Sequence, residues 1–206
     1  MPAHLRRLTA PAPLLALGLL TLAPPATAAP QEADAPAGGA PAALIEVPAG
    51  DLTLTVPEAW AKQPLASRMR LAQFLVPAAE GANAPTELAV FGGFGGTDEA
   101  NLRRWVDQFD AEGREVKLVQ GDSREGSYKL IDVTGTWNAP VGPPMMGKTK
   151  PQPGTRMLAA IVQVEGQGNY FLKMPGPAET VTDEVAAQFR ATFGATAEGE
   201  KPFELK

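Results

Sequence analysis

The sequence predicts an α+β fold, a largely antiparallel sheet with two amphipathic helices packed on it. Three observations lead there. Short segments of alternating or continuous apolar residues recur through residues 44–206, and several of the links between them are too short for parallel crossovers. Two other stretches carry apolar residues at helical spacing. The three tryptophans, two tyrosines and eight phenylalanines all fall between Trp60 and Phe203, which places one hydrophobic core in that span.

In chain order, residues 43–47 and 52–56 form a first strand pair around the turn composition Pro48-Ala49-Gly50-Asp51. Strands follow over residues 69–76, 87–91, 116–120, 127–137, 156–164 and 170–174. Leu88-Ala89-Val90-Phe91 and Leu158-Ala159-Ala160-Ile161-Val162 are apolar at both parities, as expected of central strands covered on both faces. Residues 129–137 alternate, with Ile131, Val133 and Trp137 opposite Asp132, Thr134 and Thr136, which predicts a half-exposed strand. Residues 121–126 and 165–169 have the length and composition of hairpin loops. The first helix is expected over residues 97–110. Thr97 is a good N-cap, Asp98 and Glu99 suit the first turn, and Leu102, Trp105, Val106 and Phe109 form one stripe. The second is expected over residues 178–193, with Val181, Val185, Phe189 and Phe193 four apart and Gly194 as its stop.

Ahead of this domain the chain reads as an export signal over residues 1–28. His4, Arg6 and Arg7 precede an apolar run at residues 14–22, and Ala26-Thr27-Ala28 is a cleavage motif. The run is about half the ~20 residues a membrane span needs. Thr9-Ala10 stands where a twin-arginine signal prefers large apolar residues, so Sec-type export to the periplasm or the exterior is expected. Residues 29–43, built of Ala, Pro, Gly and a few acids, read as a disordered linker, leaving residues 44–206 as one domain. Cleavage removes the single histidine, His4. It also removes two of the 18 basic residues and none of the 23 acidic ones, taking the charge from −5 to −7. That balance argues against nucleic acid as a partner. The absence of cysteine excludes disulfides, thiolate metal sites and a cysteine nucleophile.

Val56-Pro57-Glu58-Ala59-Trp60, closing an early hairpin, resembles the Val-Pro-x-x-Trp start of PsbP-like domains. Ser67-Arg68-Met69-Arg70, the glycine run leading into Asn101-Leu102-Arg103-Arg104-Trp105, and Lys173-Met174-Pro175-Gly176-Pro177 are similar to uncharacterised exported bacterial proteins of that layout. The resemblance implies an α/β/α sandwich with a C-terminal helix. It carries over no catalytic or binding residue.

The candidate motifs are few. Phe91-Gly92-Gly93-Phe94-Gly95-Gly96-Thr97 leads from a strand into a helix, a setting that can cradle phosphate. It matches neither G-x-G-x-x-G nor a P-loop, and Asp98 and Glu99 bring negative charge, so a tight structural turn is the competing reading. Residues 138–154 hold five prolines and three glycines and read as a long loop. There Met145, Met146 and Lys148 are candidates for partner contact, against a proline-stiffened cover with the methionines buried. Copper on Met145 and Met146 would lack any His or Cys ligand. Arg68 and Arg70, with Arg103 and Arg104, could form an anion site or simply pair with Glu99, Asp107 and Asp110. Phe94, Arg68 and Arg70 are the ligand candidates, and the three tryptophans read as core or core-edge residues.

Catalysis has little support. Ser67, Ser123 and Ser127 lie in neither G-x-S-x-G nor S-x-x-K contexts, and no H-E-x-x-H or EF-hand loop occurs. The expectation is a non-enzymatic accessory domain without a cofactor, binding a protein partner or envelope component through loops. The alternatives are a small-ligand or anion-binding module with a pocket near residues 92–97, and a carboxylate-based hydrolase using two unidentified acids.

Overall fold

The computed structural model describes residues 43–93, 95–142 and 146–205. The expected signal and most of the linker, together with Phe94 and Met145, lie outside the described residues.

Strands β1 (Leu44–Ala49) and β2 (Leu52–Pro57) form an antiparallel hairpin, with Gly50 at φ 69° allowing the tight reversal. Leu52, Leu54 and Val56 are fully buried on one side of β2, the period-2 pattern of a strand laid on a core. The remaining strands are β3 (Ala61–Lys62), β4 (Arg70–Val76), β5 (Thr86–Gly92), β6 (Glu115–Asp122), β7 (Ser127–Pro140), β8 (Thr149–Val164), β9 (Gly168–Pro177) and β10 (Lys201–Pro202). They form one sheet in the order β10-β6-β7-β8-β9-β5-β4-β3, and every neighbouring pair is antiparallel. The four strands β6 to β9 make a meander through short turns, and β5 joins it alongside β9.

Parity along these strands separates two cores. Leu130, Leu158, Ala160, Val162, Leu172 and Met174 face one side. Ile131, Val133, Met157, Ala159, Ile161 and Phe171 face the other. Helix α2 (Asp183–Ala191) and the β1–β2 hairpin cover the first side, with Phe189 and Phe193 fully buried. Helix α1 (Asp98–Val106) covers the second through Leu102, Trp105 and Val106. Each fully enclosed Leu, Ile or Phe contributes roughly 1.5–3 kcal/mol, so both faces stabilise the sheet.

Both helices begin where a threonine caps them. Thr97 Oγ1 accepts from Ala100 N at 3.2 Å, and Thr182 Oγ1 accepts from Val185 N at 3.3 Å. Each helix is shorter than its apolar stripe predicts. Residues 177–181 form a turn before α2, closed by Val181 N donating to Pro177 O, so Val181 packs from outside the helix. Past α1, Phe109 leaves the helix and bridges to Trp137 on β7. The alternation expected of β7 is present, with Ile131 and Val133 buried and Asp132, Thr134 and Thr136 half-exposed. Asp132 is 15% exposed because Arg156 from β8 grips both its oxygens, while the same guanidinium reaches Asp183 at the start of α2.

The largest departure from expectation concerns residues 138–154. They do not form a long loop. Strands β7 and β8 continue as a two-stranded arm, pairing Trp137↔Gln152, Asn138↔Pro151, Ala139↔Lys150 and Pro140↔Thr149, so β7 ends at Pro140 and β8 begins at Thr149. Proline is a poor central-strand residue, but β8 has no second neighbour here, because its pairing with β9 stops at Thr155↔Pro177. On such an edge a missing N–H costs no ladder bond. Among the described residues no helix is long and apolar enough to cross a membrane.

Candidate functional site

The helix α1 covers only part of its sheet face, and the uncovered part carries the chemistry. Arg114 donates to Val106 O and Phe109 O, satisfying the carbonyl end of α1 and drawing residues 107–110 against β7. There Asp110 N donates to Thr136 O, and Asn138 N donates to Gln108 O at 2.7 Å. This short pairing takes up the edge of β7 where β6 has ended, since the last β6–β7 pair is Glu115↔Thr134. A register shift between Gly135 and Trp137 accompanies it.

Gln108 is thereby held over β9. Its Oε1 accepts from Lys173 Nζ at 2.6 Å and from Trp137 Nε1 at 3.2 Å. The Lys173 ammonium also lies 5.4 Å from the centre of the Trp137 ring. Burial, and then the Arg104 guanidinium on α1, push the Lys173 amine down to about 8 from 10.5. Among the described residues this ammonium forms no ion pair.

A cleft of about 310 Å³ opens beside it, lined by Arg70, Glu87, Phe91, Trp137, Pro140 and Lys173. Strands β4, β5, β9 and β7 each contribute, so the walls stand on sheet rather than loops. Arg70 Nη1 donates to Glu87 Oε1, and its guanidinium lies 5.6 Å from the Phe91 ring centre. Gln73 Nε2 donates to the other Glu87 oxygen, so both are engaged.

Of the binding candidates singled out from sequence, Arg70 alone among the described residues lines this cleft. Arg68 is exposed in the turn before β4. Met146, 59% exposed, and Lys148 lie beyond the strands of the arm. Arg104 donates to Asn101 Oδ1 at 2.7 Å, and Asp110 accepts from Asn138. Lys173, Glu87 and Gln108 were not singled out. Lys173 did carry a signal, as the one charged residue within the apolar strand sequence Tyr170-Phe171-Leu172-Lys173-Met174, at the same parity as buried Phe171.

The glycine turn behaves differently. At the start of α1 the Asp98 carboxylate accepts from Lys129, Gln163 and Asn169 at 3.0, 2.9 and 2.8 Å, one from each of β7, β8 and β9. The helix N-terminus is already matched to an anion supplied by the chain itself, which leaves it poorly suited to phosphate. Asp132 and Asp183, which come together on Arg156, are likewise engaged as acceptors. Among the described residues no three His, Cys, Asp or Glu side chains gather as a metal site. No protein-family model matches the chain, and no curated protein matches it.

Proposed function

We propose that this chain is an exported, non-enzymatic accessory domain that binds a protein partner of the cell envelope through the β7–β8 arm. The observation that carries this reading is the arm itself. Its strands run past the ends of β6 and β9, and Val141 and Met146 beyond them are 48% and 59% exposed. Residues 138–154 contain Lys148 and Lys150 and no acid, although the chain as a whole is acidic. A basic, partly apolar projection on an acidic body suits an acidic partner surface. Prolines at 140, 151 and 153 disfavour open-ended strand addition along the arm, so contact through side chains is the expected mode.

Export is part of the proposal and rests on the charge, apolar run and cleavage motif of residues 1–28. Kinship with PsbP-like sandwich domains is proposed as well. Its support is the hairpin closing on Val56-Pro57-Glu58-Ala59-Trp60, with Trp60 2% exposed, and a helix on each face of an antiparallel sheet.

The test replaces residues 141–148 with a two-residue Asn-Gly turn and compares crosslinked partners recovered from envelope extracts. The partner should be lost while the melting temperature changes little. Retention of every recovered partner by the folded variant refutes the reading. A second reading, a small-ligand module, is favoured by the Lys173 cleft.

A further inference from the structure

The cleft beside Lys173 has an excess of positive charge that no described residue neutralises. Arg70 and Lys173 line it and Arg104 acts on Lys173 from α1, whereas Glu87 is the one acid in its lining and already accepts from both Arg70 and Gln73. The partners of Lys173 are a neutral amide oxygen and an indole face. A buried ammonium is ordinarily matched by a carboxylate, because removing its hydration is costly unless an opposite charge replaces it. Here the ammonium lines the cleft and no carboxylate among the described residues pairs with it.

The remaining walls narrow the ligand class. Phe91, Trp137 and Pro140 are apolar, and about 310 Å³ is at the small end of ligand sites. Phosphate groups are usually held by several converging donors. A single ammonium beside aromatic walls instead suits one carboxylate attached to an apolar body. We propose that this cleft binds a small carboxylate with an aromatic or aliphatic body, its carboxylate on the Lys173 ammonium and its body against Phe91 and Trp137. Arg70, fixed by Glu87, shapes the far wall. The site is independent of the arm's partner, so failure of either idea leaves the other standing.

The experiment uses the purified full chain, with thermal shift and tryptophan fluorescence as readouts. The probes are benzoate, phenylacetate and hexanoate, with benzamide and inorganic phosphate as controls. The carboxylates should raise the melting temperature saturably and change the fluorescence, and benzamide and phosphate should not. Lys173→Met should weaken carboxylate binding at least tenfold, whereas Lys117→Met, the same change at an exposed sheet-edge lysine, should leave it unaltered. Trp137→Phe should abolish the fluorescence change and retain a thermal shift. Any of four results overturns the proposal: benzamide matching benzoate, phosphate matching benzoate, full binding by a folded Lys173→Met variant, or no saturable signal with any carboxylate up to about 10 mM, beyond the millimolar range in which weak sites are detected.

Discussion

Replacing Lys173 with methionine should stabilise this protein near neutral pH, an unusual outcome for a substitution at a half-buried, hydrogen-bonded position. In the folded chain the amine titrates near 8 rather than 10.5, because burial and Arg104 disfavour the charged form. That difference corresponds to about 3 kcal/mol of cost in carrying the ammonium when folded at pH 7. Methionine has similar length and no charge, but it forfeits the hydrogen bond to Gln108 and the contact with Trp137. Gln108 keeps Trp137 Nε1 as a donor, so no orphan is left. Deducting roughly 1–2 kcal/mol for those two interactions leaves a net gain of about 1–2 kcal/mol. For a domain of this size that raises the melting temperature by about 2–8 °C. The pH dependence gives the sharper check. Between 8 and 10.5 the unfolded chain holds the lysine proton and the folded chain does not, so wild-type stability rises with pH across that window. Arg104 on α1, Arg70 on β4 and Glu87 on β5 are the charged groups facing the amine. Urea denaturation at pH 7 and pH 9.5 should therefore show the advantage of Lys173→Met shrinking at the higher pH. A variant less stable than wild type at pH 7, with a gap that does not change by pH 9.5, refutes the reasoning.

Three further outcomes are expected. Arg190 and Glu200 form a pair 7% and 6% exposed, with Nε–Oε1 at 2.7 Å, so Glu200→Leu alone should cost about 3–5 kcal/mol in urea denaturation. Adding Arg190→Met should recover most of that loss, and a single variant within about 1 kcal/mol of wild type contradicts it. Burial, then Glu200, push the Tyr128 hydroxyl up to about 12 from 10.0. The unfolded tyrosine loses its proton first, so stability should fall as pH rises from 10 to 12, and Tyr128→Phe should flatten that fall in alkaline melts. Gly126 sits at φ 145°, and a Cβ there would run into the carbonyl oxygen of Gln163, so Gly126→Ala should cost several kcal/mol or prevent folding. Gly81→Ala, at φ 82° with no neighbour near, should cost about 1 kcal/mol, and equal losses in the two variants contradict the steric argument.

Much of the fold was legible because burial and periodicity coincide here. Leu158 to Val162 is apolar at both parities and lies fully buried in the middle of the sheet, and Thr97, expected as the cap of the first helix, is its cap. Illegibility came from pairing across distance. The prolines at 151 and 153 suggested a loop, since sequence alone does not say that β8 would have a neighbour on one side only. Asp132 looked solvent-facing until Arg156, 24 residues away, arrived beside it. Arg70 was found by its charge, but the cleft it joins needed Glu87, Trp137 and Lys173 from three other strands.

The cations of this molecule set Lys173 apart. Arg70 meets Glu87, Lys129 meets Asp98, Arg156 meets Asp132 and Asp183, and Arg190 meets Glu200. Arg114 faces the carbonyl end of α1, where the helix dipole supplies partial negative charge. Lys129 and Lys173 stand on the same face of the sheet, the first under the start of α1 and the second on the part α1 leaves uncovered. The first is matched by a carboxylate that docks the helix to three strands, while among the described residues the second has an amide and an indole ring. Among the described residues the sheltered cations just named are neutralised, and an acid in place of Gln108 would be the simplest way to neutralise this one as well. The expected consequence of that change is specific. Gln108→Glu should stabilise the protein at pH 7 by pairing with Lys173, and it should also abolish carboxylate binding in the cleft by occupying the ammonium from within. Stabilisation with carboxylate binding intact would separate the two roles assigned to Lys173 and remove the link between its unmatched charge and its ligand.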